Sequence, residues 1–463
     1  MTEARKEKHV RAIRRQMALI AIFALILAAC DGGTAEDVTT TAAEEVEETT
    51  EGGTETTTAD TQAPAEPVTI NWWHIQNNDP GLTDWQNMAD EFMAENPNVS
   101  IEITVYENDP YGPALDAALN AGEVPDLFQS WGVGDLRDKV EAGLVQDITD
   151  ATADVIDQYA SAATGLYQVD GRQYGIPFNI GVVGLWYNQD LFADAGLEAP
   201  ADTWEGLLTD AQTLKDAGIT PIAVGAGEQW PAHFWYSYLM VRIGGAEAMN
   251  QLAETNDFEV PHVIQAGEMV QELVATEPFQ PGFLAANWDA PDGEAGIMAN
   301  QQAAMDLMGQ WAPGTFRTHA GVDITAGEEL PWSLGWAPFP AVEGGAGVGT
   351  DVFGGGDGFA VGRDAAPEAV DFLEFITNAD NQRTWAQNTG LPVNLGAVDA
   401  VTDPNLQAVL EGVNNATFMQ LYLDRFFTAE VGAEINEQTA RLFAGDVTPE
   451  EAAAAITAVA QSG

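Results

Sequence analysis

Between Val68 and Val105 the apolar residues change period twice, and this limits the folds open to the chain more than any other feature. Val68, Ile70 and Trp72 alternate with polar neighbours, the two-residue repeat of a half-buried strand. Trp85, Met88, Ala89 and Phe92 then recur at i, i+3, i+4 and i+7, one stripe of a helix. Thr83 is its expected N-cap, with Gln86 three residues later completing a capping-box pattern. Asn96-Pro97 stops the helix, and Val99, Ile101, Ile103 and Val105 alternate again. Farther on, Thr203 caps a second stripe (Trp204, Leu207, Leu208, Ala211, Leu214) that Gly218 ends, and Thr220 to Val224 returns as a strand. Near the C-terminus Thr448-Pro449-Glu450-Glu451 places a cap, an N1 proline and an N3 acid before an Ala-rich helix. Strands separated by helices predict an α/β fold with mainly parallel sheets flanked by helices. At 463 residues the chain is longer than one core usually serves, so at least two bodies are expected.

The first 67 residues follow different rules. A basic stretch from Arg5 to Arg15 precedes the apolar run Met17 to Ala29. That run is too short to span ~30 Å of hydrocarbon, but it suits a signal-peptide core. The junction Leu27-Ala28-Ala29-Cys30 resembles a bacterial lipobox, and Cys30 is the chain's one cysteine. We therefore expect a lipoprotein signal peptide over 1–29 and lipidation at Cys30, with the multiply acylated cysteine of that resemblance giving stable membrane anchoring. From Asp31 to about Pro67 the chain is Thr, Glu, Ala and Gly with almost no bulky apolar residue. Such a segment cannot offset its ordering entropy and is read as a disordered tether, so 30–67 is lipidated Cys plus tether. Its end-to-end reach would be roughly 35 Å.

Charge narrows the function. Six of the 16 Lys and Arg residues and two of the 72 acids precede Cys30, leaving ten basic residues against 70 acidic ones. So anionic a body repels phosphates and argues against nucleic acid as a partner. A solvated acidic surface accounts for this charge, and salt adaptation is the sharper reading, because beyond Lys8 only Lys139 and Lys215 remain. A single cysteine allows no internal disulfide. The five histidines (His9, His74, His233, His262, His319) are scattered, with no HExxH and no Cys/His cluster, so neither metal nor cofactor is expected. No GxSxG elbow or GxxxxGK[ST] loop is present, and GGGDG lacks the spacing of GxGxxG. With 70 acids, any carboxylate pair of glycosidase type is uninformative. An enzyme is not expected, and no residue is assigned a catalytic role.

An ordered set of segments carries a family resemblance. INWWHIQNNDPG (70–81), AENPNVSIEITV (94–105), GEVPDLFQSW (122–131), EAGLVQDIT (141–149), VDGRQYGIPFNIGVVGLWYNQDLFADAGL (169–197), TWEGLL (203–208), QQAAMDLMGQWAPG (301–314) and FGGGDGFAVG (353–362) resemble, in this order, the extracellular solute-binding proteins of carbohydrate ABC importers. WWHIQN and FGGGDGFAVG are worded like actinobacterial oligosaccharide binders. The resemblance implies a two-lobed periplasmic-binding-protein-like fold (type II) with a three-crossing hinge near Pro177–Asn179, Phe353–Asp357 and Leu391–Gly396. Lobe 1 would comprise 68–177 with 358–395, and lobe 2 would comprise 178–357 with 396–463. It further implies an extracytoplasmic monomer that takes a sugar, in particular an oligosaccharide, between closing lobes and hands it to the permease subunits.

A sugar ring needs flat aromatic platforms for its C–H faces and forked acceptors for its hydroxyls. Trp72, Trp85 and Trp204 fit core faces and are left out. Trp311, in a loop context before Pro313-Gly314, matches the family's stacking Trp, and Trp131 closes a strand end. Trp73, His74, Asn78 and Asp79 lie at or just past the end of the first strand, where α/β folds place ligands, with a polar turn capping the next helix as the alternative. Asn179 falls at the proposed hinge. His233 and Phe234 belong to the stretch Trp230 to Trp235, where the family places a sugar-facing segment. That stretch lacks the acid and Tyr that maltose-binding protein has there, which argues against maltodextrin. Gly356 and Asp357 lie in the glycine run, Asp357 as a hydroxyl acceptor and the glycines admitting the ring closely. Asp424, in YLDRF, completes the set, with pairing to Arg425 or helix capping as its alternative. A polyamine or other cationic solute on the same fold remains the competing ligand class, because acids and aromatics also suit a cation.

Overall fold

The computed structural model describes residues 66–323, 328–388 and 390–462; the expected signal peptide, Cys30 and tether lie outside the described residues. In chain order the strands are β1 (Val68–His74), β2 (Val99–Val105), β3 (Leu127–Ser130), β4 (Gln168–Val169), β5 (Arg172–Gln173) and β6 (Gly175–Val182). They continue as β7 (Gly184–Asn188), β8 (Thr220–Ile222), β9 (Ala303–Met308), β10 (Leu334–Ala337), β11 (Asp351–Val361) and β12 (Phe418–Leu421). One sheet runs β12-β11-β3-β1-β2 with β6 also on β11; a second runs β10-β7-β9-β8; β4 and β5 form a small hairpin.

The first β-α-β unit forms as its periods require. β1 and β2 are parallel from Val68 opposite Val99 to His74 opposite Val105, and the helix Gly81–Glu95 buries Trp85, Met88, Ala89 and Phe92. Its start differs from expectation. The helix begins two residues before Thr83, whose backbone N–H and hydroxyl both donate to the Asp79 carboxylate, at 3.2 and 2.6 Å. A carboxylate at the positive end of a helix is the stronger acceptor, so Asp79 takes the role expected of Thr83. The other two caps form as read. Gly206 N–H donates to Thr203 Oγ1, and Thr448 and Glu451 make both bonds of a capping box.

The sheets are mixed rather than mainly parallel. β1 is parallel to β2 and β3, β11 to β12, and β8 to β9, while β11 is antiparallel to β3 and β6, and β7 to β9 and β10. The reversals follow from chain passing between the bodies. β6 lies along β11 and leads through Val183 into β7 of the second sheet. β11 returns, pairing with β12 at one end and β3 at the other. The chain leaves the first body after the expected third stretch, because Leu395 N–H is held by the Gln158 carbonyl, Asn394 by that of Thr377 and Asp399 by Arg383. Past it, Asn405 bonds Leu334 of β10.

Around the first sheet, Trp72 meets Trp85, Phe359 and Phe372 edge-on at 5.2–5.4 Å, and Trp85 stacks on Trp385 at 4.7 Å. Each such ring contributes about 1.5–3 kcal/mol by burial. Around the second, the long helix Trp230–Thr255 packs on Pro261–Ala275 and Ala429–Ala444, and the C-terminal helix Pro449–Ala460 packs on both of these. Among the described residues no helix is long and apolar enough to cross a membrane.

Candidate functional site

Between the two bodies lies a cleft of about 1330 Å³, its open mouth included. Its walls come from the turn after β1, the end of β3, the middles of β6 and β11, the start of the helix Trp230–Thr255, the 287–289 loop, the Trp311 turn and the segment after β12.

The side formed by the second body is aromatic. Trp230 and Phe234, one helical turn apart, face the cleft with Trp311 at 6.4 Å from each ring. Trp288 lies 6.2 Å from Trp230, and Tyr422 stacks on Phe234 at 5.5 Å. Trp311 is half-buried, and its ring leaves no room for a Cβ at Gly309. On the first body, Trp131 carries the Arg425 guanidinium over its ring at 4.0 Å.

The polar groups form a second set. Asp357 is half-buried at the bulge of β11 and accepts from Asn179 Nδ2 at 3.3 Å. Burial pushes its carboxyl up to about 6, against the pull of Asn179, Arg425, Trp131 and Gln129. Asn179 is fixed from behind, since its Oδ1 accepts the Leu391 N–H. Burial likewise pushes Glu228 up to about 7, although the Trp288 N–H donates to it. Asp424 stands 3.6 Å from both Arg425 Nε and His233 Nε2. Asp289 behaves differently: burial acts to raise its carboxyl, but bonds from His319, Asn78 and Asn77 outweigh that and hold it below the usual range. Six carboxylates (Asp79, Glu107, Glu228, Asp289, Asp357, Asp424) thus line the cleft against one guanidinium. Flat rings beside fixed acceptors can hold a hydroxylated ring or a cation. Among the described residues no three His, Cys, Asp or Glu side chains are placed to hold a metal ion.

Eight of the twelve expected residues line this cleft: Asn78, Asp79, Trp131, Asn179, Phe234, Trp311, Asp357 and Asp424. Four do not. His74 is on the buried face of β1, edge-on to Trp72 at 4.7 Å, and burial lowers it to about 3. Trp73 points to the opposite face and packs on Tyr106. His233 is fully buried behind Asp424 and does not line the cleft, its Nδ1 at 2.8 Å from the Trp230 carbonyl. Gly356 lies opposite Ile180, where a Cβ would come within 2.8 Å of the Asn179 carbonyl; the glycine admits strand β6, not a ligand. The neighbouring Gly355 likewise makes room for the Tyr422 ring. Sequence reasoning placed Trp230 only within its sugar-facing stretch and missed Gln129, Glu228, Trp288, Asp289, Tyr422 and Arg425. Only Trp288-Asp289 carried a local signal, an aromatic–acid pair just before the turn sequence Pro291-Asp292-Gly293.

Comparison with known proteins agrees with this architecture. Residues 79–383 match the family described as bacterial extracellular solute-binding protein. An ABC transporter extracellular-binding protein of Pyrococcus horikoshii is 26% identical over 56% of this chain and 58% of its own length. The multiple sugar-binding protein of Streptococcus mutans is 22% identical over 73% of this chain and 78% of its own, and the sn-glycerol-3-phosphate-binding periplasmic protein of Escherichia coli is 24% identical over 83% and 90%. A structure from work on xylan utilisation by Caldanaerobius polysaccharolyticus superimposes with a TM-score of 0.77 at 26% identity, covering 84% of this chain and 99% of that one. A chitin oligosaccharide binding protein gives 0.77 at 23%, covering 86% and 99%, and shares the two-lobed fold.

Proposed function

This chain belongs to the bacterial extracellular solute-binding proteins, and from that premise we propose that it captures a carbohydrate, in particular an oligosaccharide, and delivers it to the permease of an ABC importer. Membership puts its work outside the cytoplasm. The observation that carries the sugar reading is the facing of Trp230, Trp288 and Trp311 with the acceptors Asp357, Asn179 and Gln129 across one cleft. Aromatic faces take the C–H side of a pyranose, and carboxylates and amides take vicinal hydroxyls. Ligand touching both bodies shifts an open–closed equilibrium only through contacts made in the closed state, and the importer would read that state. The relatives point the same way: one is a multiple sugar-binding protein and one structure is that of a chitin oligosaccharide binder. A phosphorylated solute, as the Escherichia coli relative's name implies, would meet six carboxylates and only Arg425. In this reading Cys30 carries the lipid, 30–67 is the tether, the two lobes have the boundaries expected above except that lobe 1 runs past 395 to the third passage, and the protein works as a monomer without chemical change to its ligand.

Isothermal calorimetry with xylobiose, cellobiose, maltose, a monosaccharide set and spermidine tests this. Tight binding of one neutral oligosaccharide is expected, with Trp311→Ala weakening it about tenfold or more. Heat from spermidine alone would transfer the site to cations, the reading that the surplus of carboxylates favours.

A further inference from the structure

The turn after β1 and the 287–319 region belong to opposite bodies, yet they are bonded across the mouth of the cleft. Asp289 accepts from Asn78 Nδ2 at 2.8 Å and from Asn77 Nδ2 at 3.2 Å, both on the first body. On its own body His319 Nε2 lies 2.7 Å from its other oxygen. Beside them Thr318 Oγ1 lies 3.2 Å from both the Asp79 carbonyl across the cleft and the Gly314 carbonyl of its own helix, and shares its one hydrogen between them. We propose that Asp289, Asn77, Asn78 and His319 form a polar latch that holds the two bodies closed through protein atoms alone. These residues are then positioning groups for closure, and Asn78 serves the opposite lobe in place of the ligand.

The arrangement fits that role for three reasons. Asp289 is half-buried, and a carboxylate removed from water needs its donors. Two of its three come from the other body, so opening strips them together. Both ends are also rooted. The Asn78 carbonyl accepts Leu82 N–H at the start of the helix Gly81–Glu95, and His319 ends the helix Ala312–His319. Finally, charge-assisted bonds to one carboxylate are strong enough that losing the Asn78 bond would shift the closed-to-open ratio about tenfold. This rests on the reading of the cleft as one between closing lobes, but not on which solute it takes.

The test needs no ligand. Small-angle scattering of the full chain compares wild type with Asn78→Asp, Asp289→Asn and the double variant. Asn78→Asp sets two carboxylates against each other and is expected to enlarge the radius of gyration. Asn78→Asp with Asp289→Asn restores an acid–amide pair with the roles exchanged, and is expected to bring the radius back toward wild type. A structural role confined to one lobe would give no such rescue. Thermal melts check that each variant folds, and Asn78→Ala replaces Asn78→Asp if the latter does not. Superimposable scattering of wild type and the opened variant, or a double variant no closer to wild type, overturns the latch. Failure of every sugar in calorimetry would overturn the carbohydrate reading and leave the scattering result standing.

Discussion

Because burial raises the Asp357 carboxyl to about 6, its charge changes within an accessible pH range. Above that value it offers two acceptors to ligand hydroxyls; below it, one oxygen carries a proton, as an amide carries its hydrogens. Asp357→Asn is therefore expected to weaken sugar binding about tenfold near pH 8 and much less near pH 5. Calorimetry at both pH values checks this, and a pH-independent gap would remove the carboxylate from ligand contact. At the same scale, the sequence order of His233 and Phe234 said only that both lie in one stretch. A single helical position, about 100°, decides that Phe234 lines the cleft and His233 does not.

Among the elements, the helix Trp230–Thr255 shapes the site more than its local sequence suggests. Just before its break at Gly245 it carries Arg242, fully buried, whose guanidinium donates to the carbonyls of Phe339, Pro340, Val348 and Asp351 and lies 4.9 Å from the Tyr238 ring. These carbonyls belong to the loop that leads into β11, so the arginine fixes the start of the strand that carries Asp357. Arg242→Met leaves them without donors and is expected to destabilise the protein by about 3–5 kcal/mol in urea unfolding. An arginine inside YLMVRIGG is visible in the sequence as an anomaly, but its partners, about 100 residues away, are not. The glycine run shows the same limit. Its smallness is legible, whereas the object admitted is β6 and the Tyr422 ring rather than a sugar, because spacing does not say what approaches.

Over the whole molecule, net charge is the dominant feature, −56 by formal count. Like charges at such density repel one another in the compact state, and salt screens them over about 10 Å at 0.1 M. The melting temperature is expected to rise as NaCl goes from about 0.01 M to about 1 M. A flat response in scanning calorimetry would show that the acids are spaced widely enough not to matter, and would end the salt-adaptation reading. Whole-molecule order also explains the mixed sheets. A chain that crosses between two bodies three times returns through strands that run against their neighbours, so β7 and β11 break the parallel pattern that the first β-α-β unit sets.

The sequence alone determined the type and facing of elements whose causes are local. The stripe Trp85, Met88, Ala89 and Phe92 is buried, and the caps at Thr203 and Thr448 form, because period and capping depend on residues within four positions. Tertiary structure decided which polar side chains share the cleft. Asn78 meets Asp289 across 211 residues and Asn179 meets Asp357 across 178, and no periodicity spans such distances. His74, adjacent in sequence to the cleft turn, is in the core because strand alternation carries it inward one pleat before the chain bends away.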